Sequence, residues 1–190
     1  MSERSDNTSD TGAAAAARTV SEYPGAQWLP AAPSAFRKGR GGKPVSKIVL
    51  HITDGHAPAI GTASMFATPG CRTSAHFVIG QAGEVIQCVA LDDSAQHAHT
   101  ANGYTVGIEH CARSPKEWGP GDAGLSLSPA QLEASVALVA WLCERFGLPR
   151  DRAHVQGHAE ADALTDHADC PTGVAGGWPW ERWTGAPICK

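Results

Sequence analysis

Apolar residues along this chain recur with two periods, and the change from one to the other places the main elements. Lys47-Ile48-Val49-Leu50-His51-Ile52 is a β-branched apolar run bounded by Pro44 and by Asp54-Gly55. That is the pattern of a buried strand with polar chemistry at its C-terminal end. A short helix is expected over Thr62–Ala67, before Pro69-Gly70. Ala75–Ile79 and Glu84–Val89 flank Gly80 to Gly83 and read as a hairpin, and Thr105–His110 reads as a further strand. The clearest helix follows Ser128. Ser128 is its N-cap, Pro129 its first residue and Gln131 the third member of a capping box, while Gly147 and Pro149 supply the stop. Leu132, Val136, Val139, Leu142, Cys143 and Phe146 recur at helical spacing, so one face packs on a sheet. Ala153–His158 is a short strand candidate in which His154, Gln156 and His158 share a face. Strands interleaved with helices and joined by a hairpin predict an α/β fold with a mixed central β-sheet flanked by helices.

Outside those elements the pattern fades. Residues 1–22 are mainly Ser, Thr, Asp and Ala, and are expected to form a disordered N-terminal tail. Residues 23–46 mix Pro and Gly with Tyr23, Trp28 and Phe36, which predicts an extended arm packing on the domain. The main domain is expected over 47–190. The Pro-rich segment carrying Trp178, Trp180 and Trp183 is read as core anchors, with an aromatic stacking groove as the alternative.

Composition narrows the class of protein. A formal net charge of −4 argues against nucleic acid as a partner, which demands a basic face. No stretch approaches the roughly 18 to 20 apolar residues of a membrane span, so membrane insertion is not expected. The polar, acidic start lacks the basic and Leu-rich parts of a secretory signal. The six cysteines show neither paired CxxC clusters nor the density of a disulfide scaffold, and Cys143 falls in the apolar helix as a core residue. The 9 histidines are the compositional excess, and histidine is the commonest metal ligand.

Catalytic zinc takes three protein ligands and keeps one position open for water. His51 closes the first strand, and His158 and Cys170 lie 12 residues apart around a loop, with Pro171 stiffening the turn at Cys170. A closed structural zinc site would need a fourth ligand, for which His56 and His154 are the candidates.

Five phrases in order carry a family resemblance: IVLHITDG, SAHFVIGQAGEVIQCV, QHAHTANGYTVGIEH, VQGHAEAD and DCPTGVAGGWPW. Over about Lys47 to Trp183 the chain resembles the type 2 N-acetylmuramoyl-L-alanine amidases, which include phage lysozymes of the amidase kind and the peptidoglycan recognition proteins. The resemblance implies that fold, a Zn²⁺ cofactor on His51, His158 and Cys170, and cleavage of the amide between N-acetylmuramic acid and L-alanine in peptidoglycan. It implies Glu109 as general base, His97 near the substrate groove, and His76 as a supporting residue that orients a ligand or a loop. Two positions depart from it. Ala75 stands where some relatives have tyrosine, and Ala168 where others have the lysine or threonine that stabilises the transition state. His167, one residue before Ala168, is the candidate replacement.

The resemblance also carries alternatives: a peptidoglycan-binding module without activity, and an amidase of soluble muropeptides in cell-wall recycling. A chain made in the cytoplasm without a signal would reach the wall as an endolysin does through holin pores, or as an effector through a secretion apparatus. Stem-peptide preference, oligomeric state and any immunity or inhibitor protein are left open by the residues.

Overall fold

The structure, a computed structural model, describes residues 21–115 and 119–185. All of the expected tail except Ser21 and Glu22 lies outside the described residues, as does Cys189. Eight strands and three α-helices follow in chain order: β1 (Gln27–Trp28), β2 (Phe36–Arg37), β3 (Lys47–Ile52), α1 (Ala59–Ala67), β4 (Phe77–Ile79), β5 (Val85–Gln87), β6 (Ser94–Ala95), β7 (Thr105–His110), α2 (Pro129–Phe146), β8 (Val155–Gly157) and α3 (His158–Ala161). Six strands form the central sheet in the order β1-β5-β4-β7-β3-β8, and β2 pairs with β6 separately. Only the hairpin β4–β5 is antiparallel within the central sheet. This is an α/β fold with a mixed sheet flanked by helices. The sheet begins inside the arm, because β1 adds an edge strand beside β5.

Two apolar clusters cover the two faces, as expected for a sheet with helices on both sides. On one face Ile48, Leu50, Ile52, Val106 and Ile108 pack under α2 together with Trp178 and Trp183. On the other, Val78 and Ile86 pack against Ala59, Ala63 and Phe66 of α1 and against Ala31, Ala32 and Ala35 of the arm. Strand alternation therefore sends His51 of β3 and Thr105, Gly107 and Glu109 of β7 to the α1 side. The register pairs His51 with Glu109 directly.

Helix α2 has the expected ends: Ser128 Oγ accepts from the Gln131 amide at 3.0 Å, and Gly147 closes the helix at φ 65°. The reciprocal half of the capping box does not form. Gln131 is fully buried and its amide nitrogen donates to the Ile79 carbonyl at 2.8 Å, since a buried donor must find an acceptor. The buried stripe is Gln131, Ser135, Leu138, Val139, Leu142 and Cys143, while Leu132, Val136 and Phe146 pack at its flanks. Helix α1 starts at Ala59, three residues before the expected Thr62.

The last strand ends sooner than its pattern suggests. β8 stops at Gly157, and His158 opens α3, so His158 leaves the face it was expected to share with His154 and Gln156. Glycine is required at the switch. A Cβ on Gly157 would stand 2.6 Å from Pro171 Cδ and 3.3 Å from the Cys170 carbonyl oxygen. The missing side chain is what lets the Cys170–Pro171 loop cross β8.

Candidate metal centre

β3, β7 and β8 run parallel, so their C-terminal ends open on one side of the sheet, where α/β folds place their sites. His51 is the last residue but one of β3, His158 follows β8, and the loop over Gly157 brings in Cys170. One donor atom from each of these three buried residues lies within 4.8 Å of the other two. His51 Nδ1 is 4.0 Å from Cys170 Sγ. Ligands of a tetrahedral zinc ion at about 2.0–2.3 Å stand roughly 3.5 Å apart, so a slight contraction would close the trio on an ion. Two imidazoles and a thiol are also the donor chemistry that zinc prefers.

The electrostatics suit a cation. Burial, and then the Glu109 charge, push the Cys170 thiol far above its ordinary range. A divalent ion reverses that by stabilising the thiolate. Burial, then the neighbouring His97 and His158, hold His51 well below its usual pKa, so its imidazole stays neutral. Burial likewise lowers His158, against the pull of Asp162.

Glu109 lies beside His51 in the register and lines the same cavity. Its Oε2 is buried and accepts no hydrogen bond from the protein. Burial, and then the Asp54 charge, raise its carboxyl to about 8. A carboxyl poised there can take and return a proton near neutral pH.

The structure brings His97 to the site as a neighbour of His51. Its Nδ1 is 2.9 Å from His51 Nε2 and its Nε2 is 3.0 Å from Thr105 Oγ1, so both ring nitrogens are engaged inside the protein. The ring lies flat over β7 where Gly107 has no side chain, and a Cβ there would meet it at 2.6 Å. His76 touches none of the three ligand residues through a hydrogen bond. It is fully buried, its Nδ1 accepts from the Gly107 amide at 3.0 Å, and its Nε2 faces the Asp93 carbonyl at 3.2 Å and the Arg40 guanidinium at 2.9 Å. Its ring meets His97 edge-on at 5.8 Å.

His167 is largely exposed and lies parallel to the His158 ring, 5.6 Å away, at the mouth of the cavity. Ala168 is exposed and Ala75 is buried. Among the described residues His154 is not in the trio, since its Nδ1 bonds Asp151 at 2.6 Å. His56 is not in it either. Trp178 and Trp183 are buried and stack at 4.8 Å with a 7° interplanar angle, as core anchors. None of the three tryptophans lines the cavity. Cys71, Cys88, Cys111, Cys143 and Cys170 are free thiols.

Sequence reading missed two supports. Asp162 is buried, lies 3.4 Å from His158 Nε2 and accepts from His99 Nδ1 at 2.5 Å. A carboxylate behind a ligand imidazole is a common way of orienting it. The second is His110, whose Nδ1 donates to the His51 carbonyl at 2.8 Å, while its Nε2 accepts from Ser135 Oγ at 2.7 Å. Strand alternation alone could have flagged Thr105 as a site-side residue of β7, but nothing in the sequence marked Asp162.

The cavity over these residues has a volume of about 490 Å³. A second hollow of about 240 Å³ shares Gln96, His99 and Asn102 with it and carries Arg37 and Lys43.

Known proteins resemble this chain in sequence or in fold. N-acetylmuramoyl-L-alanine amidase A of Achromobacter lyticus is 33% identical over 122 residues, 64% of this chain and 63% of that protein, so the chain spans under two thirds of that relative. AmpD, solved as a selenomethionine derivative, superposes with a TM-score of 0.62 at 20% identity, covering 86% of this chain and 94% of AmpD. The amidase LysC of Clostridium intestinale gives 0.60 at 17% identity, covering 86% of this chain and 97% of LysC. At such identities these two show a shared fold. The amidase family itself matches residues 41–173, a span that contains all three clustered donors and Glu109. This chain belongs to the N-acetylmuramoyl-L-alanine amidase family.

Proposed function

We propose that this protein is a zinc-dependent hydrolase that cleaves the amide between N-acetylmuramic acid and L-alanine in peptidoglycan. The observation that carries the reading is the convergence of His51, His158 and Cys170 within 4.8 Å beside a buried, unpartnered Glu109 oxygen. A recognition module that only binds has no use for such a cluster, whose burial is costly without a cation. His51, His158 and Cys170 would hold the metal. Zinc there would supply Lewis acidity toward the lactyl carbonyl and lower the pKa of a water to about 7.

The remaining steps fall to the chain's own groups. Glu109 takes the proton of the attacking water and returns it to the departing alanine nitrogen, a role suited to its place beside His51 and its unpartnered Oε2. His167, exposed beside His158, stabilises the developing negative charge in place of the side chain absent at Ala168. Arg37 and Lys43 in the adjoining hollow suit the carboxylates of a stem peptide.

Mass spectrometry of digested peptidoglycan tests this. Zinc-loaded protein should release peptides with free L-alanine amino termini and leave the glycan uncut, and His158→Ala should release none. Products cut in the glycan, or no products from wild type, would overturn the reading. Running intact sacculi beside soluble anhydro-muropeptides separates a lytic enzyme from a recycling one.

A further inference from the structure

The hydrogen bonds behind His51 have a determined direction. Thr105 Oγ1 lies 2.8 Å from the Ala101 carbonyl oxygen, which can only accept, so the hydroxyl proton is committed there. The same Oγ1 is 3.0 Å from His97 Nε2 and must accept from it. A neutral imidazole carries one proton, so His97 Nδ1 then bears a lone pair. That nitrogen is 2.9 Å from His51 Nε2, which must donate to it. His51 Nδ1 is left with a lone pair on the side that faces Cys170 Sγ. Neither ring is hydrogen-bonded to a carboxylate that could hold a second proton.

We infer that Thr105 and His97 form a relay that fixes the tautomer of His51, so that Nδ1 is presented bare to the metal before any metal binds. The inference rests on His51 being a metal ligand, as the proposed function has it. Both relay residues are positioning residues: each acts on the ion through His51. The design is local to β7. Thr105 supplies the acceptor for His97, and Gly107, two residues on and on the same face, leaves the space in which the His97 ring lies. The His97 segment is held from the other side by Asn102 Oδ1, which accepts from the His97 and Ala98 amides at 2.9 and 2.6 Å. Ala101 belongs to the same 3-10 turn as Asn102, His99–Tyr104, so that turn anchors both ends of the relay.

The test uses ¹⁵N-labelled, metal-free protein and two variants: Thr105→Val, which keeps the shape and removes the hydroxyl, and Thr105→Ser, which keeps the hydroxyl. Long-range ¹H–¹⁵N spectra distinguish a protonated ring nitrogen from a bare one. Wild type and Thr105→Ser should show one tautomer at His51 and at His97, each protonated on Nε2. Thr105→Val should show mixed tautomers at both rings, and chelator competition should find its zinc affinity about 10- to 100-fold weaker, the usual effect of removing an outer partner. A wild-type spectrum with the His97 proton on Nδ1 overturns the relay, and so does a Thr105→Val protein that binds zinc as wild type does. If Thr105→Val fails to fold, the wild-type and Thr105→Ser spectra still decide. No substrate enters these measurements. Protein that shows the relay and binds zinc but releases no peptide sinks the amidase reading alone, whereas active protein with the opposite tautomer sinks the relay alone.

Discussion

Glu109 illustrates how one residue's role follows from its surroundings. Its place in β7 sets it beside His51, and its unpartnered Oε2 and raised pKa are what a proton carrier near neutral pH needs. Glu109→Gln keeps the volume and loses the proton transfer. Its turnover on peptidoglycan should fall about 10²- to 10⁴-fold, with zinc content by mass spectrometry unchanged. Arg37 lies in the hollow beside the cavity, which none of His51, His158 and Cys170 lines. Arg37→Ala should raise KM for carboxylate-bearing substrates and leave kcat near wild type. An unchanged KM would remove the hollow from the substrate path. At this scale the three residues whose donors converge, and Glu109 beside them, could be named from ordered phrases of sequence. Asp162 was not, because a carboxylate four residues after His158 on a short helix looks like any solvated acid until the fold buries it.

At the scale of elements, the site depends on how strands and helices are tied together behind it. Ser135 of α2 sits in an otherwise apolar stripe and joins two partners: Trp183 Nε1 donates to its oxygen at 2.8 Å, and its hydroxyl donates to His110 Nε2. His110 in turn holds the His51 carbonyl. Ser135→Ala strands both a buried donor and a buried acceptor, so urea unfolding should show a loss of about 2 kcal/mol, within the usual range for an unsatisfied buried group. A loss below about 0.5 kcal/mol, the low end for a made hydrogen bond, would mean that water substitutes for the hydroxyl. Gly157 ties β8 to the Cys170 loop. Gly157→Ala forces that loop away, with an expected stability cost of about 1–3 kcal/mol from overpacking and weaker zinc binding in a chelator competition. Strand β7 and helix α2 were readable with their ends, because a continuous apolar run and a capped amphipathic pattern each point one way. The end of β8 was misread, since alternation continues through His158 while the backbone turns at a glycine whose purpose lies in a distant loop.

For the whole molecule the buried histidines set the pH response. Burial lowers His76 to about 3 and His110 to about 4, and holds His51 and His97 well below their ordinary range. These groups are protonated in the unfolded chain below about pH 6.5 but not in the folded one. The unfolded state therefore binds more protons in acid, and stability is lost as the pH falls below about 6.5. Glu109 acts with the opposite sign. Its folded pKa of about 8 exceeds the unfolded value, so its contribution is lost as the pH rises through about 8. Below about pH 6.5 the histidines outnumber this single carboxyl, and above it Glu109 acts alone among these groups. Urea titrations of metal-free protein should place maximum stability at about pH 6.5–7, and Glu109→Gln should flatten the alkaline limb. A stability that rises steadily from pH 7 to 8 would contradict the protonated, buried carboxyl.

The sequence by itself determined the class of the protein: an alternation of strands and helices around one apolar sheet, and the residue types that bind zinc at ordered positions along it. Those features are local, because hydrophobic period, capping and motif order are properties of neighbouring residues. Only the tertiary structure decided which histidine does which work. His51, His76, His97 and His110 are alike as letters, yet His51 faces Cys170, His76 locks Arg40 and the Gly107 amide, His97 stands behind His51 and His110 holds a strand carbonyl. The difference is set by what lies opposite each ring nitrogen. Those partners come from 8 to 119 residues away in the chain, a separation no local pattern can encode.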